Sequence, residues 1–149
     1  IWYNTGTDKR GYGNSMKTIG LDGNEFNITL TGLASKSSLN NKSSLHLEAR
    51  EIIKNIYPTL QVLEEVTIHL RKSETLYMDF FIPLSKKCIE VHGEQHYQFT
   101  SFYHRSKLDF LKQQKRDREK KEWCYINNIT YIELPYNKQS EWIEIINNG

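Results

Sequence analysis

Long apolar runs, cysteine pairs and a strong charge of either sign are all missing from this 149-residue sequence. No stretch of about 18 apolar residues occurs, which excludes a bilayer-spanning helix, and no secretory signal is visible at the start. Two cysteines, Cys88 and Cys124, form no CxxC pair and cannot alone complete a four-ligand zinc site. They read as buried thiols of an intracellular, cytoplasmic protein. A net charge of +2 is too small to argue for nucleic acid by itself. The chain begins at Ile1 rather than Met, which points to a fragment or processed product sharing its function with a preceding part.

What is present describes one globular domain with a tail. Hydrophobic residues make up 38% and charged residues 26% of the chain, ordinary values for a packed core under a polar surface. Residues 1–42 differ from the rest, holding six of the eight glycines and ending in a Ser/Asn/Lys run that reads as a flexible linker. Inside that part, Lys17–Leu21 and Glu25–Thr31 around Asp22-Gly23 predict a small hairpin, the remnant of a separate DNA-reading module.

Residues 43–149 are regular. Ser43 or Ser44 can cap a helix to Tyr57, with Leu45, Ala49, Ile52, Ile53 and Ile56 as its apolar stripe and Pro58 as its stop. Val62–Leu70, Leu76–Ile82 and Lys87–Val91 predict three strands, separated by a turn at Ser73-Glu74 and a break at Pro83. A helix is expected over Ser106 to Asn127, with Leu108 and Leu111 on its stripe. Ile129–Leu134 then predicts a strand closed by Pro135, and Ser140 can cap a last helix through Ile146. The order helix, three strands, helix, strand, helix implies an α/β fold with a small mixed sheet flanked by helices.

The chemistry concentrates in LYMDFFIPLSKKCIEVHGEQHYQ, residues 76–98. An antiparallel pairing of its two strands would set Asp79 beside Glu90, close enough for their oxygens to hold one hard cation. His92 lies two residues beyond Glu90, on the same face of an extended strand. Gln95 and His96 follow where the chain leaves the sheet. Two carboxylates with a histidine beside them suit metal-assisted phosphodiester hydrolysis. From Arg105 to Lys121 the chain carries eight basic residues against three acidic ones, so Lys112, Lys115, Arg116, Arg118 and Lys120 form a candidate phosphate-facing stripe. A solvated helix face would look the same.

These segments, with KRDREKKEWCYINNITYIELPY and the helix SSLHLEAREII, resemble the PD-(D/E)xK (restriction-endonuclease-like) nuclease superfamily. Within it they are most similar to the group of very-short-patch-repair endonucleases and EDxHD phage homing endonucleases. The likeness covers roughly residues 43–136. It implies an α-β-β-β-α-β core, a Mg²⁺-dependent endonuclease (Mn²⁺ also serving), DNA as partner, no membrane, and a phage-encoded origin as one source.

By the same resemblance, Asp79 and Glu90 are the metal ligands, Glu48 the leading Glu with Glu51 as runner-up, His96 the motif's His and Asp117 the closing Asp. Position 92, where the superfamily has lysine, is His92. His92 would replace that lysine in orienting water. His96 would act as base toward water or acid toward the leaving oxygen, and Gln95 would hold a water or a phosphate oxygen. A catalytically inactive nucleic-acid-binding domain of this fold and an RNA-directed nuclease stand as the alternatives.

Overall fold

The computed structural model describes residues 15–30 and 43–149. The predicted Ser/Asn/Lys linker lies outside the described residues. Two strands, β1 (Ser15–Ile19) and β2 (Glu25–Thr29), form an antiparallel hairpin. Then come α1 (Ser44–Ile56), β3 (Leu63–Arg71), β4 (Glu74–Ile82), β5 (Lys87–His92), α2 (Lys107–Ile126), β6 (Thr130–Pro135) and α3 (Trp142–Asn148). The larger sheet has the order β3-β4-β5-β6, antiparallel except for the parallel β5–β6 pair that α2 connects. The molecule is a mixed α/β fold, in the element order expected.

Local chemistry sets most boundaries. The Ser43 hydroxyl accepts from the His46 N–H at the start of α1, and the Ser106 hydroxyl from the Asp109 N–H at the start of α2, each satisfying a donor that a helix leaves open. Asn127 ends α2, and Asn128 follows at φ 58°, the left-handed conformation that asparagine tolerates best after glycine. Gly23 takes φ 83° in the Asp22-Gly23 turn for the same reason. Ser140, expected to cap the last helix, instead sits in a 3-10 turn (Gln139–Glu141), and α3 starts without a side-chain cap.

The sheet is covered on both faces. Phe80, Ile82, Ile89, Ile132 and Leu134 pack with Ala49 and Ile53 of α1 and Trp142 and Ile146 of α3. Val66, Ile68, Met78, Phe81 and Cys88 pack with Trp123 and Cys124 at the end of α2. The hairpin joins this second cluster through Met16, Ile28 and Leu30, so it shares the main core instead of forming a separate module. Backbone bonds weld it on: the Leu21 N–H donates to Leu70 O at 2.7 Å, and Asn127 bonds the Ile19 N–H and C=O at 2.8 and 2.9 Å. The expected stripe on α2 is corrected. Leu108 and Leu111 are exposed, because only the last turns of that helix reach the sheet.

Candidate active site

The site begins where the sheet loses its regularity. β4 and β5 pair from Ile82–Lys87 to Phe80–Ile89 and then stop. Beyond that point, side chains replace the ladder. The Asp79 N–H donates to Glu90 Oε2 at 2.6 Å, and the Val91 N–H donates to Asp79 Oδ2 at 2.8 Å. On the other side of β4, Glu65 takes φ 51° between the Glu64–Phe80 and Val66–Met78 pairs. The in-out alternation slips there. Leu63 and Phe81 share one apolar cluster with Val66 and Met78, although each pair of neighbours is three residues apart. The slip presents Asp79 at the opening between two strands, with its carboxylate beside Glu90.

Beyond this opening, alternate residues of β5 meet successive turns of α2. Cys88 packs in one cluster with Cys124, Glu90 meets Lys120, and His92 lies under His96, which Asp117 holds. Both thiols are free and buried, as the sequence implied. Lys120 Nζ donates to Glu90 Oε1 and to Tyr77 O, each at 2.6 Å. Its side chain is only 14% exposed, so Lys120 is corrected from a phosphate-facing surface residue to a member of the site. Burial, then the Asp79 charge, pushes the Glu90 carboxyl up to about 8 against the pull of Lys120. Burial works to lower Lys120, but Glu90, by charge and hydrogen bond, holds it above the usual lysine range. An ammonium therefore stands beside the acid pair even though position 92 carries none.

His92 does not take the lysine's place. Its ring is buried, stacked on His96 at 4.0 Å and 9°, and its Nε2 lies 3.2 Å from the Tyr131 hydroxyl. Burial, then neighbouring His96, holds its pKa below the usual histidine value, which favours the uncharged ring. His96 sits in a 3-10 turn (Glu94–His96), and its Nδ1 is 2.8 Å from Asp117 Oδ2. Tyr97 hydrogen-bonds Glu133, and Arg118 lines the same cavity as His96, Asp117 and Glu133.

Two sets of donors are close enough to consider for a metal. His92, His96 and Asp117 can offer atoms within 4.8 Å of one another. The two imidazoles are nearly parallel, however, so their in-plane lone pairs run side by side. An ion about 2.1 Å from both nitrogens would lie far out of both ring planes. That set fits proton handling better than chelation. Asp79 and Glu90 instead offer hard oxygens at one opening, a donor set suited to Mg²⁺ or Mn²⁺. Asp79 also lines a cleft of about 530 Å³ with His46, Glu94, Gln95, Tyr103 and Tyr136.

The other expected residues divide. Gln95 lines that cleft. Glu48 is exposed on α1 and accepts from Gln139 at 3.1 Å, outside the site; Glu51 is exposed as well. The α1 residue that lines the cleft is His46, bonded to buried Glu64 at 2.7 Å and stacked on Phe80. Arg50 completes this cluster at 2.9 Å from Glu64. Lys112 and Arg116 line a groove with Arg105, Asp109, Gln113 and Tyr103, while Lys115 is exposed near Glu119. Tyr103 borders both cleft and groove. Sequence reasoning missed His46, Glu64, Gln113 and His104; the burial of His46, Glu64 and His104 and the half-buried place of Gln113 between two imidazoles mark them, and neither is written in local spacing.

No family profile and no solved structure matches the chain. Three curated viral proteins are similar to part of it. Uncharacterized protein 307L of Invertebrate iridescent virus 6 is 43% identical over 61 residues, covering 41% of this chain and 31% of its own length. Uncharacterized protein 033L of Invertebrate iridescent virus 3 is 41% identical over 61 residues, with the same coverage. Uncharacterized protein 094L of Frog virus 3 (isolate Goorha) is 37% identical over 62 residues, covering 41% of this chain and 40% of its own length. The matches thus span about a third of the curated relatives. Among the described residues no helix is long and apolar enough to cross a membrane.

Proposed function

We propose that this chain is the catalytic domain of a virus-encoded, metal-dependent DNA endonuclease with a restriction-endonuclease-like core, of the very-short-patch or EDxHD kind. The observation that carries the reading is the opening between β4 and β5, where Glu90 accepts from the Asp79 N–H, Asp79 accepts from the Val91 N–H and Lys120 reaches Glu90 at 2.6 Å. Two acids and one ammonium at a break in a sheet match the PD-(D/E)xK site in composition, with the lysine arriving from a helix.

Asp79 and Glu90 are the residues that would hold Mg²⁺ or Mn²⁺, which when bound supplies Lewis-acid stabilisation of charge on the phosphate. Lys120 stabilises the same developing charge from its buried position, where an ammonium acts more strongly than in water. His96, oriented by Asp117, takes a proton from the attacking water. Gln95 holds a water or a phosphate oxygen in the cleft. Arg105, Lys112 and Arg116 along the adjoining groove neutralise flanking phosphates. The absence of lysine at position 92 is the best support for the inactive-binder alternative, and Lys120 beside Glu90 speaks against it.

The test is cleavage of supercoiled plasmid by the wild type and by Asp79→Asn, each with Mg²⁺, Mn²⁺ or EDTA. Metal-dependent nicking or linearisation that disappears in the variant supports the reading. Binding without cleavage, unchanged by the substitution, would make the chain a nucleic-acid-binding domain. Cleavage of RNA but not DNA would move it to the RNA-directed class.

A further inference from the structure

We infer that Gln113, held by buried His104, is a positioning residue that keeps the proton of His96 on Nδ1 and its lone pair on Nε2. The inference rests on His96 acting as the base of the proposed site. It follows from counting donors and acceptors along one chain of hydrogen bonds.

The chain starts at the backbone. The carbonyl of Thr100 already accepts from the N–H groups of Tyr103 at 3.1 Å and His104 at 2.8 Å, which uses both of its lone pairs. His104 Nδ1, although 3.2 Å from that oxygen, therefore acts as acceptor for the Thr100 N–H at 3.1 Å. Neutral His104 must then carry its proton on Nε2 and donate it to Gln113 Oε1, 3.0 Å away. With its oxygen so engaged, the Gln113 amide turns its NH₂ toward His96 Nε2 at 3.4 Å. An amide nitrogen only donates, so His96 Nε2 must accept. The remaining proton sits on Nδ1 and is donated to Asp117 Oδ2 at 2.8 Å.

Each link is immobilised. His104 is 5% exposed, stacked near Phe99 and edge-on to Phe110. His96 is sandwiched against His92. The one weak link is Gln113 to His96, and its length suits exchange of the amide for the water that His96 is to activate. Asp117, whose carboxylate only accepts, calls for the Nδ1–H form from one side of the ring. Gln113 reinforces it from the other, by presenting a donor where a general base needs a lone pair.

Long-range ¹H–¹⁵N correlation of the imidazole nitrogens in the full chain, at about pH 8.5 where ordinary histidines are neutral, reads the tautomer directly. The inference expects His96 as the Nδ1–H form in the wild type and protonation of Nε2 in Gln113→Glu, whose carboxylate can only accept. Gln113→Leu, which leaves Asp117 alone to hold the Nδ1–H form, is expected to lower kcat by no more than about tenfold with KM unchanged, less than the roughly 10²-fold worth of a general base. An Nε2–H His96 in the wild type overturns the inference without any variant having to fold. So does a His96 spectrum that Gln113→Glu leaves unchanged. The expected tautomers in a protein that never cleaves would uphold the inference and overturn the nuclease reading instead.

Discussion

Lys120 Nζ lies 2.6 Å from Glu90 Oε1, thirty residues away along the chain, and joins a helix to the opening in the sheet where two acids meet. Its i,i+3 neighbour Asp117 is engaged elsewhere, with His96. The ammonium is held instead by Glu90 and the Tyr77 carbonyl. Lys120→Met should reduce kcat by roughly 10²–10³-fold, the usual cost of a lost charge-stabilising donor, while DNA binding persists. Single-turnover cleavage beside a gel-shift titration separates the two effects; loss of binding with intact chemistry would return Lys120 to the surface stripe.

In the proposed site, the raised Glu90 carboxyl would make cation binding pH-dependent. Near neutral pH this group, pushed to about 8, holds a proton that a divalent cation must displace. Mg²⁺ or Mn²⁺ binding should therefore release protons below about pH 8 and tighten as pH rises toward that value. Titration calorimetry in two buffers of different ionisation enthalpy counts the protons. Heats that are independent of buffer at pH 7 would contradict the assignment of Glu90 as a ligand.

Glu64 governs acid stability. Burial alone would raise its pKa, but His46 and then Arg50 bring it below the usual glutamate value of 4.5. A depressed folded pKa contributes stability above the unfolded value that is lost as pH falls through the folded one. The protein should lose stability below about pH 4.5, and Glu64→Gln should flatten that slope. Arg50→Ala, which strips a partner from a buried charge, is expected to cost about 3 kcal/mol near neutral pH. Urea unfolding across pH provides both numbers.

Glu48 supplies the contrast. Its carboxylate is exposed and accepts from Gln139 outside the cleft, so Glu48→Gln should leave cleavage within about twofold of wild type, as a surface change does. His46→Phe, by contrast, alters the cleft wall beside Asp79 and removes a partner of Glu64. A cleavage assay that ranks Glu48 above His46 would restore the leading-glutamate role to Glu48.

The elements were legible because their causes are local. Ser43 and Ser106 cap the helices they precede, Asn127 and Asn128 stop α2, and the alternation of β5 places Cys88, Glu90 and His92 on one face. Asp79 and Glu90 were legible as a pair because an antiparallel hairpin brings neighbouring strands together. The role given to His92 was not, since a face shared with Glu90 says nothing of what covers it. Tyr131 covers it from a strand 39 residues on, and His96 from the turn that follows β5.

Periodicity, caps and turn residues act over a few residues, and so the sequence by itself determined the order of elements, their ends and the strand face that carries the acids. Which face of α2 meets β5 is set by burial of Trp123 and Cys124 against Cys88 and Phe81, a packing outcome spread over the whole core. That rotation alone turns Lys120 inward to Glu90 and Asp117 to His96, and leaves Lys112 and Arg116 outside. The same seven basic residues in the same helix would make a plain solvated face if the helix docked with another side inward. The tertiary structure decided which charges became chemistry, because desolvation and proximity, unlike propensity, have no local code.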